Sequence, residues 1–455
     1  MLLFSSHITP RLQYIVDFIG KELFSEPIVI TDDKEEFVQT VGPRLNYSEI
    51  EIDTEDDGEA DTGGPGDGLA SHDPIFSLRP APLLFESGIF PQEIECFDLN
   101  FHKAFFMTAG DLPFDIFAAS FYLLSRYEEY LPHGKDEYGR FAYTDSLAWQ
   151  EGFLDLPLVN IWMQELKKAL GRKYPALVFR YSSFKFIPTY DIDSAYSWLN
   201  KGWRRSLGGS LKAVISGQWT SVRERIRVLR GRRPDPFDAY EWLDSLHLYC
   251  RMRPYYFFLA AARQKGVDRN ISSSSVALQE LVRYHAAGYR VGVHPSWQSG
   301  DEMTLLKEEI EWMEWLADRA ITRSRQHYIR FTLPGTYRRL LQHGIDQDFS
   351  MGYGSINGFR ASVASSFYWY DLEKEEKTGL RIFPFCFMDA NAYYEQNYTA
   401  VQAMTELMHY YHLIRKVNGL MITIWHNSFL GTDPQFAGWR EVYEVFLKEE
   451  VYWDV

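Results

Sequence analysis

The apolar and polar residues of the second half of the chain follow two alternating patterns. Short apolar runs typical of buried strands occupy residues 184–191, 254–259, 289–294, 327–333, 381–388 and 419–425. Between them, apolar residues recur at helical spacing in residues 237–251, 276–287, 302–317, 334–342 and 399–417. Strands that alternate with helices are typical of parallel α/β folds. The pattern therefore predicts an α/β barrel whose strand carboxyl ends meet at one rim.

The first 180 residues show a less regular pattern. A helix is predicted to start at Asp111, because Pro113 then falls in its first turn and apolar residues follow at helical spacing. A second helix is predicted at residues 158–170. No cluster of reactive side chains is visible here. We therefore expect residues 1–180 to form an N-terminal α+β accessory domain and residues 181–455 to form the barrel.

Charge is distributed unevenly along the chain, whose formal net charge is −15. Residues from about 49 to 68 carry nine acids and no base, which predicts a solvated loop. Residues from about 200 to 235 are strongly basic and are expected to form a helical insertion. That insertion either is a solvated surface or meets an anionic partner such as a phosphate-linked sugar. The overall negative charge argues against nucleic acid as a partner.

Cysteine usage and hydropathy bear on the cellular compartment. The 3 cysteines are far apart and form no paired motif, which favours reduced thiols over disulfides or a zinc site. The first residues lack the basic start and apolar core of a signal peptide. No apolar run is long enough to span a bilayer. These features predict a cytoplasmic protein without a membrane span.

Polar side chains follow several of the predicted strands at the point where each strand ends. Strand carboxyl ends converge on one rim of a barrel although they are distant in sequence. Two kinds of group meet there, carboxylates and imidazoles, and together they suit a divalent metal with acid–base groups beside it. The set consists of Asp191, Asp193, His294, Asp389 and His426.

These segments resemble the motifs of the NodB-homology polysaccharide deacetylases, also known as carbohydrate esterase family 4. Residues 189–193 (TYDID) resemble the first motif and residues 292–297 (GVHPSW) the second. Arg330 with Pro334 resembles the arginine–proline motif, and residues 422–427 (ITIWHN) resemble the last motif. The motifs occur in the family's order, so the resemblance implies a deformed (β/α) barrel of the polysaccharide deacetylase type.

Further segments are similar to a bacterial subgroup of this family that carries an additional, uncharacterised N-terminal domain. They are residues 111–117, 324–328, 350–353 and 358–361. The resemblance implies a hydrolase that removes an N- or O-linked acetyl group from a carbohydrate or glycan precursor. The oligomeric state does not follow from it.

The resemblance also implies roles for individual residues. Asp191 would be the general base, with Arg330 orienting it, and His426 would be the general acid, oriented by Asp389. Asp193 and His294 would bind a divalent metal, zinc first, with cobalt, nickel or manganese as alternatives. Residue Gln298 stands where the family has its second histidine ligand, and an amide is a weaker ligand for zinc than imidazole.

Several other residues have open interpretations. Four are candidates for substrate binding near the rim: Trp297, Tyr353, Arg360 and Trp425. The aromatic residues among them pack equally well into a core, and the arginine equally well closes a loop. His327 is interpreted as a core histidine.

Two alternative functions remain open at this stage. Gln298 in the place of a histidine favours a catalytically degenerate barrel that binds a glycan or acts as a scaffold. Paired carboxylates at the same rim also suit a glycosidase, which would shorten the sugar rather than release acetate.

Overall fold

The computed structural model describes residues 1–52, 74–201, 219–261 and 266–452. The chain begins with a small parallel sheet in the strand order β2-β1-β3-β4. Its strands are β1 (Leu2–Phe4), β2 (Val29–Thr31), β3 (Arg44–Tyr47) and β4 (Ile75–Leu78). An antiparallel hairpin follows, formed by β5 (Phe97–Leu99) and β6 (His102–Ala104).

Five helices accompany these strands within the described part of the first 175 residues. They are α1 (Pro10–Leu23), α2 (Lys34–Gln39), α3 (Ile116–Leu124), α4 (Leu147–Gln150) and α5 (Leu158–Lys173). The expected helix start at Asp111 is wrong. Helix α3 starts later because the carboxylate of Asp115 accepts hydrogen bonds from the backbone N–H groups of Phe117 and Ala118. Asp111 instead pairs with Lys173.

A nine-stranded sheet makes up most of the remaining chain. Its strands are β7 (Lys185–Ile192), β8 (Tyr255–Leu259), β9 (Arg290–His294), β10 (Arg323–Ser324), β11 (Gln347–Asp348), β12 (Phe367–Asp371), β13 (Glu376–Ile382), β14 (Phe387–Met388) and β15 (Leu420–His426). The order is β12-β13-β11-β10-β9-β8-β7-β15-β14, and only β12 is antiparallel to its neighbour. The expected α/β class is confirmed.

The eight parallel strands follow the cyclic order of an α/β barrel. Within the described residues, however, β13 and β14 are not hydrogen-bonded to each other, so the sheet stays open at this seam. Helices connect most of the strands: α6 (Trp219–Leu229), α7 (Tyr240–Cys250), α8 (Val276–Gly288), α9 (Met303–Ala317), α10 (Gly335–Gln342), α11 (Ala400–Lys416) and α12 (Trp439–Val445).

Two predicted strands differ from those observed. Residues 327–333 do not form a strand, because Tyr328 and Ile329 have left-handed backbone angles with φ of 59° and 54°. The strand lies earlier, at β10, and a short 3₁₀ turn, His327–Ile329, follows it. The predicted strand 381–388 is two strands, β13 and β14, separated by a stretch with Pro384, which has no N–H to donate.

The apolar core is continuous between the N-terminal region and the large sheet. The rings of Tyr14 on α1 and Tyr370 on β12 lie 5.0 Å apart, and the Tyr14 hydroxyl donates to the carbonyl of Tyr368. The guanidinium of Arg360 forms a buried ion pair with Glu129, 2.6 Å apart. The two parts predicted as separate domains are therefore joined by buried contacts.

Two expectations fall partly on residues that are not described. Residues 53–73, which include most of the acidic loop, are not described. Residues 202–218, about half of the basic insertion, are not described either. The described end of that insertion contains helix α6. Among the helices that the structure describes, none combines the length and the apolar character needed to cross a bilayer.

Candidate metal and acid–base site

The pairing of the parallel strands brings their carboxyl-terminal residues to one edge of the sheet. His426 at the end of β15 pairs with Asp191 of β7, and Leu259 of β8 pairs with His294 at the end of β9. Because all these strands run in the same direction, their last side chains share one edge. Asp193 follows Asp191 by two residues, at the start of the next loop.

Three side chains at this edge could hold a metal ion. One ligand atom each from Asp193, His294 and His327 lies within 4.8 Å of the other two. Asp193 Oδ1 is 3.1 Å from Nε2 of His294, and Asp193 Oδ2 is 3.5 Å from Nε2 of His327. Asp193 Oδ1 is buried and has no hydrogen-bond partner despite the short distance to His294. A cation shared by several ligand atoms needs such atoms close together and not already paired by hydrogen bonds, as Asp193 Oδ1 is here.

Each imidazole at the edge is held through its Nδ1 atom. Nδ1 of His294 bonds to the carbonyl of Arg325, and Nδ1 of His327 lies 2.8 Å from Oδ1 of Asp268. Nδ1 of His426 lies 2.6 Å from Oδ1 of Asp389. These partners direct the three Nε2 atoms toward Asp193 and leave them available, an arrangement typical of metal-binding and catalytic histidines.

The carboxylates at the edge stabilise positive charge on the imidazoles beside them. Burial disfavours a charged carboxylate at Asp193, but His327 and His426 outweigh it and hold the pKa of Asp193 well below its usual range. Burial lowers the pKa of His327, but Asp193 and Asp268 raise it to about 9. The pKa of His426 is raised to about 10, because Asp389 and Asp193 outweigh burial. Positive charge is therefore stabilised between these carboxylates.

Asp191 is held by an arginine other than the expected one. Nη1 of Arg325 donates to Oδ1 of Asp191 over 2.8 Å, and both side chains are buried. The same Nη1 atom donates to the hydroxyl of Thr189 on β7. Oδ2 of Asp191 lies 3.9 Å from Nε2 of His294, on the side of the metal-ligating group.

The role expected for Arg330 is corrected by its position. Its guanidinium donates to the carbonyl of Trp297 and pairs with the exposed Asp301, 2.8 Å away. Arg330 follows the 3₁₀ turn after β10, whereas Arg325 directly follows the strand and so points along the sheet edge toward Asp191.

Gln298 also has a different place from the one expected. Its Nε2 donates to Oδ2 of Asp268 over 3.1 Å, and the other oxygen of Asp268 contacts His327. Gln298 thus lies behind the ligand group, in contact with the carboxylate that orients His327. His327, interpreted from sequence as a core histidine, takes the third place in the group.

The four expected substrate-binding residues do not line the cavity at this edge. Trp425 and Tyr353 are 0% and 1% exposed and belong to the core. Arg360 is paired with Glu129 inside the protein. Trp297 is covered by the guanidinium of Arg330, whose Cζ is 4.5 Å from the ring centre. Three of the four are therefore buried inside the protein, and Trp297 is partly exposed but lies outside the lining of this cavity.

A cavity of about 580 Å³ opens over the site. Asp191, Asp193, His294, His327 and His426 form part of its wall. Other parts of the wall come from Glu137, Tyr138 and Arg140 of the N-terminal region, from Glu395, and from the aromatic residues Tyr328, Tyr394 and Phe429. A second cavity of about 330 Å³ shares Glu137, Tyr138, Arg140 and Glu395 with the first. The N-terminal region therefore supplies one side of the cleft.

Sequence reasoning missed Arg325, Asp268, His327 as a ligand, and the contribution of residues 137–140. Arg325 and His327 lie in the segment 324–328, which carries part of the resemblance but was given no chemical role. Asp268 falls in a loop without a recognisable pattern, and its link to the site depends on the fold.

Comparison with known proteins gives one family match and several structural matches. A family of unknown function, DUF7033, matches residues 1–175. No curated protein matches the sequence. The matched family segment ends before β7, so all three potential metal ligands lie beyond it.

Solved structures resemble the chain over 59% of its length. A protein from Mycobacterium smegmatis assigned as a polysaccharide deacetylase is 12% identical over 85% of its own chain, with a TM-score of 0.38. Puue allantoinase is 12% identical over 84% of its chain, with a TM-score of 0.39. A polysaccharide deacetylase from Bacillus cereus is 11% identical over 88% of its chain, with a TM-score of 0.30.

Proposed function

We propose that this protein is a metal-dependent hydrolase that removes an N- or O-linked acetyl group from a carbohydrate or glycan precursor. One observation carries the proposal. The ligand atoms of Asp193, His294 and His327 meet beside a carboxylate, Asp191, and an imidazole, His426, in a single cavity. This set matches the needs of metal-assisted acyl hydrolysis, which are a cation, a base and an acid.

The donor set fits a divalent ion. Two imidazoles and one carboxylate are typical ligands of zinc in catalytic sites, and cobalt, nickel and manganese accept the same donors. A divalent ion held by Asp193, His294 and His327 would polarise the acyl carbonyl and a water molecule. The Nδ1 contacts of both histidines fix the rings in the orientation that such binding needs.

Asp191 is the proposed general base. Arg325 occupies its Oδ1 atom from the buried side, which leaves Oδ2 on the side of His294. A carboxylate held in this way can accept the proton of an attacking water without losing its orientation. Arg325 is in this proposal the residue that positions Asp191, in place of Arg330.

His426 is the proposed general acid. Asp389 fixes its Nδ1 atom, and its Nε2 atom lies 3.6 Å from Oδ2 of Asp193. Burial opposes the charged imidazole, but Asp389 and Asp193 outweigh it and raise the pKa of His426 to about 10, which favours the protonated form. The imidazole is therefore able to protonate the leaving amine or hydroxyl group as the acyl bond breaks.

The cavity wall supports a carbohydrate substrate. Tyr328 and Tyr394 are 36% and 55% exposed and line the cavity, so their rings are open to the face of a pyranose. The adjoining second cavity gives room for a further sugar unit. A phosphate group on the substrate is proposed only from the basic insertion, of which residues 202–218 are not described.

The position of His327 also bears on the alternative of a catalytically degenerate barrel. That alternative was motivated by Gln298, a poor ligand in the place of a histidine. Because His327 supplies an imidazole to the same group, the lack of a histidine at position 298 does not argue against metal binding. A glycosidase is distinguished by its product, which is a shortened sugar rather than acetate.

The proposal is tested by measuring acetate release from acetylated hexosamine oligosaccharides with added Zn²⁺, Co²⁺ or Ni²⁺. Asp191→Asn should lower the rate by at least about 100-fold, because it removes the base. Asp155→Asn is the matched control, since Asp155 pairs with a histidine, His409, on the exposed surface. Full activity of Asp191→Asn would contradict the assigned base, and sugar shortening without acetate would contradict the reaction.

A further inference from the structure

We propose that Arg140, a residue of the N-terminal region, is a positioning residue that holds His327 in its metal-ligating place. The inference rests on the proposed function, because it concerns the metal of that site. It gives the first 175 residues a role in metal binding, because Arg140 contacts the backbone turn that follows His327.

The turn after β10 adopts an unfavourable backbone conformation. Tyr328 and Ile329 both lie in the left-handed region, with φ of 59° and 54°. Bulky and β-branched residues rarely adopt this conformation, and it persists only where surrounding contacts impose it. His327 directly precedes the two residues, so the direction of its Cα–Cβ bond depends on the turn.

Arg140 contacts the peptide that joins the two left-handed residues. Its Nη1 atom donates to the carbonyl of Tyr328 over 2.8 Å. The arginine side chain lines the cavity but is only 4% exposed, so most of the guanidinium is enclosed by protein. A hydrogen bond from a buried guanidinium to this carbonyl stabilises the orientation of the peptide between Tyr328 and Ile329.

The N-terminal region in turn fixes Arg140. Asp136 accepts hydrogen bonds from the backbone N–H of Arg140 and, over 2.6 Å, from its Nε atom. The guanidinium also lies over the ring of Tyr138, 4.8 Å from its centre. The turn 136–140 therefore presents the arginine in one direction, toward the sheet edge.

The guanidinium of Arg140 occupies space that is free because Gly354 has no side chain. A Cβ atom at this position would lie 1.9 Å from Nη1 of Arg140 and 2.8 Å from the carbonyl oxygen of Tyr328. An alanine at 354 would thus separate Arg140 from Tyr328 without changing either residue. This gives a second way to break the same contact, from the barrel side.

The consequence is a metal site that is complete only when the two parts of the chain are docked. His327 is fixed at its ring by Asp268 and at its backbone by Arg140. Loss of the Arg140 contact frees the turn to relax, which moves the imidazole away from Asp193 and His294. Metal affinity should fall while Asp193 and His294 stay unchanged.

The test is Co²⁺ binding by the full-length protein, measured by chelator competition and by the visible absorption of the bound ion. Arg140→Ala and Gly354→Ala should each weaken Co²⁺ binding by about 10-fold or more and alter the absorption spectrum. Arg140→Lys retains a donor and should recover part of the affinity. Arg79→Ala is the matched control, because Arg79 also donates to a backbone carbonyl and pairs with a carboxylate, away from the site.

The outcomes separate this inference from the proposed function. Unchanged Co²⁺ affinity and spectrum in Arg140→Ala or Gly354→Ala overturn the role of Arg140, whatever the activity. Wild-type protein that binds Co²⁺ but releases no acetate overturns the deacetylase proposal and leaves the positioning role standing. Wild-type protein that binds no Co²⁺ overturns both. Circular dichroism of each variant identifies any that fail to fold, and Arg140→Lys then replaces Arg140→Ala.

Discussion

At the scale of single residues, the site depends on what lies behind each functional side chain. Asp268, Asp389 and the carbonyl of Arg325 each hold one histidine by its Nδ1 atom. The carboxylate Asp268 has two further donors, the N–H of Trp297 and the amide of Gln298. The amide of Gln298 thus contacts the site indirectly, through Asp268, which orients His327.

The different places of His327 and Gln298 lead to a prediction about metal binding. His327→Ala removes a proposed metal ligand. Substitution of a residue that only orients a ligand typically lowers metal affinity by about 10- to 100-fold, so the Zn²⁺ affinity of His327→Ala should fall by more than this. Gln298→Ala should keep bound Zn²⁺ with a loss of about 10-fold or less, because it only weakens the support of Asp268. Isothermal titration calorimetry of both variants measures this. Equal losses would contradict the assignment of His327 as the ligand.

Several site residues could be predicted from sequence, and others could not. Asp191, His294 and His426 follow from the rule that parallel strands carry functional side chains at their carboxyl ends. His327 does not, because its strand is only two residues long and the apolar residues after it form a turn. That turn receives a hydrogen bond from Arg140, a residue distant in sequence that leaves no local pattern around His327.

At the scale of elements, β9 depends on the absence of a side chain at Gly292. A Cβ there would lie 2.6 Å from the ring of Phe257 on β8 and 2.8 Å from the carbonyl oxygen of Arg323 on β10. The strand that carries His294 is thus packed tightly between both neighbours.

This packing predicts the effect of an alanine in β9. Gly292→Ala should lower the free energy of unfolding by about 1–3 kcal/mol, because the added methyl group overpacks the contact with β8 and β10. Gly288→Ala is the matched control. Its Cβ would meet nothing within 4 Å, and alanine favours the helix, so stability should stay equal or rise by up to about 1 kcal/mol. Urea unfolding measures both, and a neutral Gly292→Ala would contradict the observed packing.

The alternation of strands and helices was predictable, and the seam of the sheet was not. The α/β class follows from the apolar pattern of the sequence. Parallel strands are buried on both faces, so each one is a continuous apolar run. The open edge between β13 and β14 depends on the chain around Pro384, which interrupts an apolar run that otherwise reads as one strand.

At the scale of the whole molecule, a buried ionic cluster joins the N-terminal region to the sheet region. Glu129 contacts Arg126 at 2.7 Å and Arg360 at 2.6 Å, and all three side chains are buried. Burial opposes the charge of Glu129, but Arg360 and Arg126 outweigh it and lower its pKa to about 2. The two parts are therefore expected to unfold together.

The cluster predicts both a mutational and a pH effect. Glu129→Gln should lower the free energy of unfolding by about 3–5 kcal/mol at pH 7, because the buried Arg360 loses its carboxylate partner and Arg126 keeps only Glu128. A lowered carboxyl pKa stabilises the fold above the unfolded value of 4.5, and this contribution is lost as the pH falls toward 2. The difference between wild type and Glu129→Gln should therefore shrink by about 2 kcal/mol between pH 5 and pH 3.

Urea unfolding at several pH values tests this prediction. Glu165→Gln is the control, because Glu165 pairs with Lys168 at the surface and should contribute less than about 1 kcal/mol. A pH-independent difference for Glu129→Gln would contradict the lowered pKa. Two separate unfolding transitions would contradict the joint unfolding of the two regions.

The shortness of β10 has a consequence for how this strand is held in the sheet. This strand has two residues, and only Ser324 is in register with a residue of β9, namely Val293. His294 and His327, one from each side of this junction, share one ligand group. In the proposed function, an ion held by both histidines would bridge the single registered pair that joins β10 to β9, so metal binding would stabilise the pairing of β10 with the sheet.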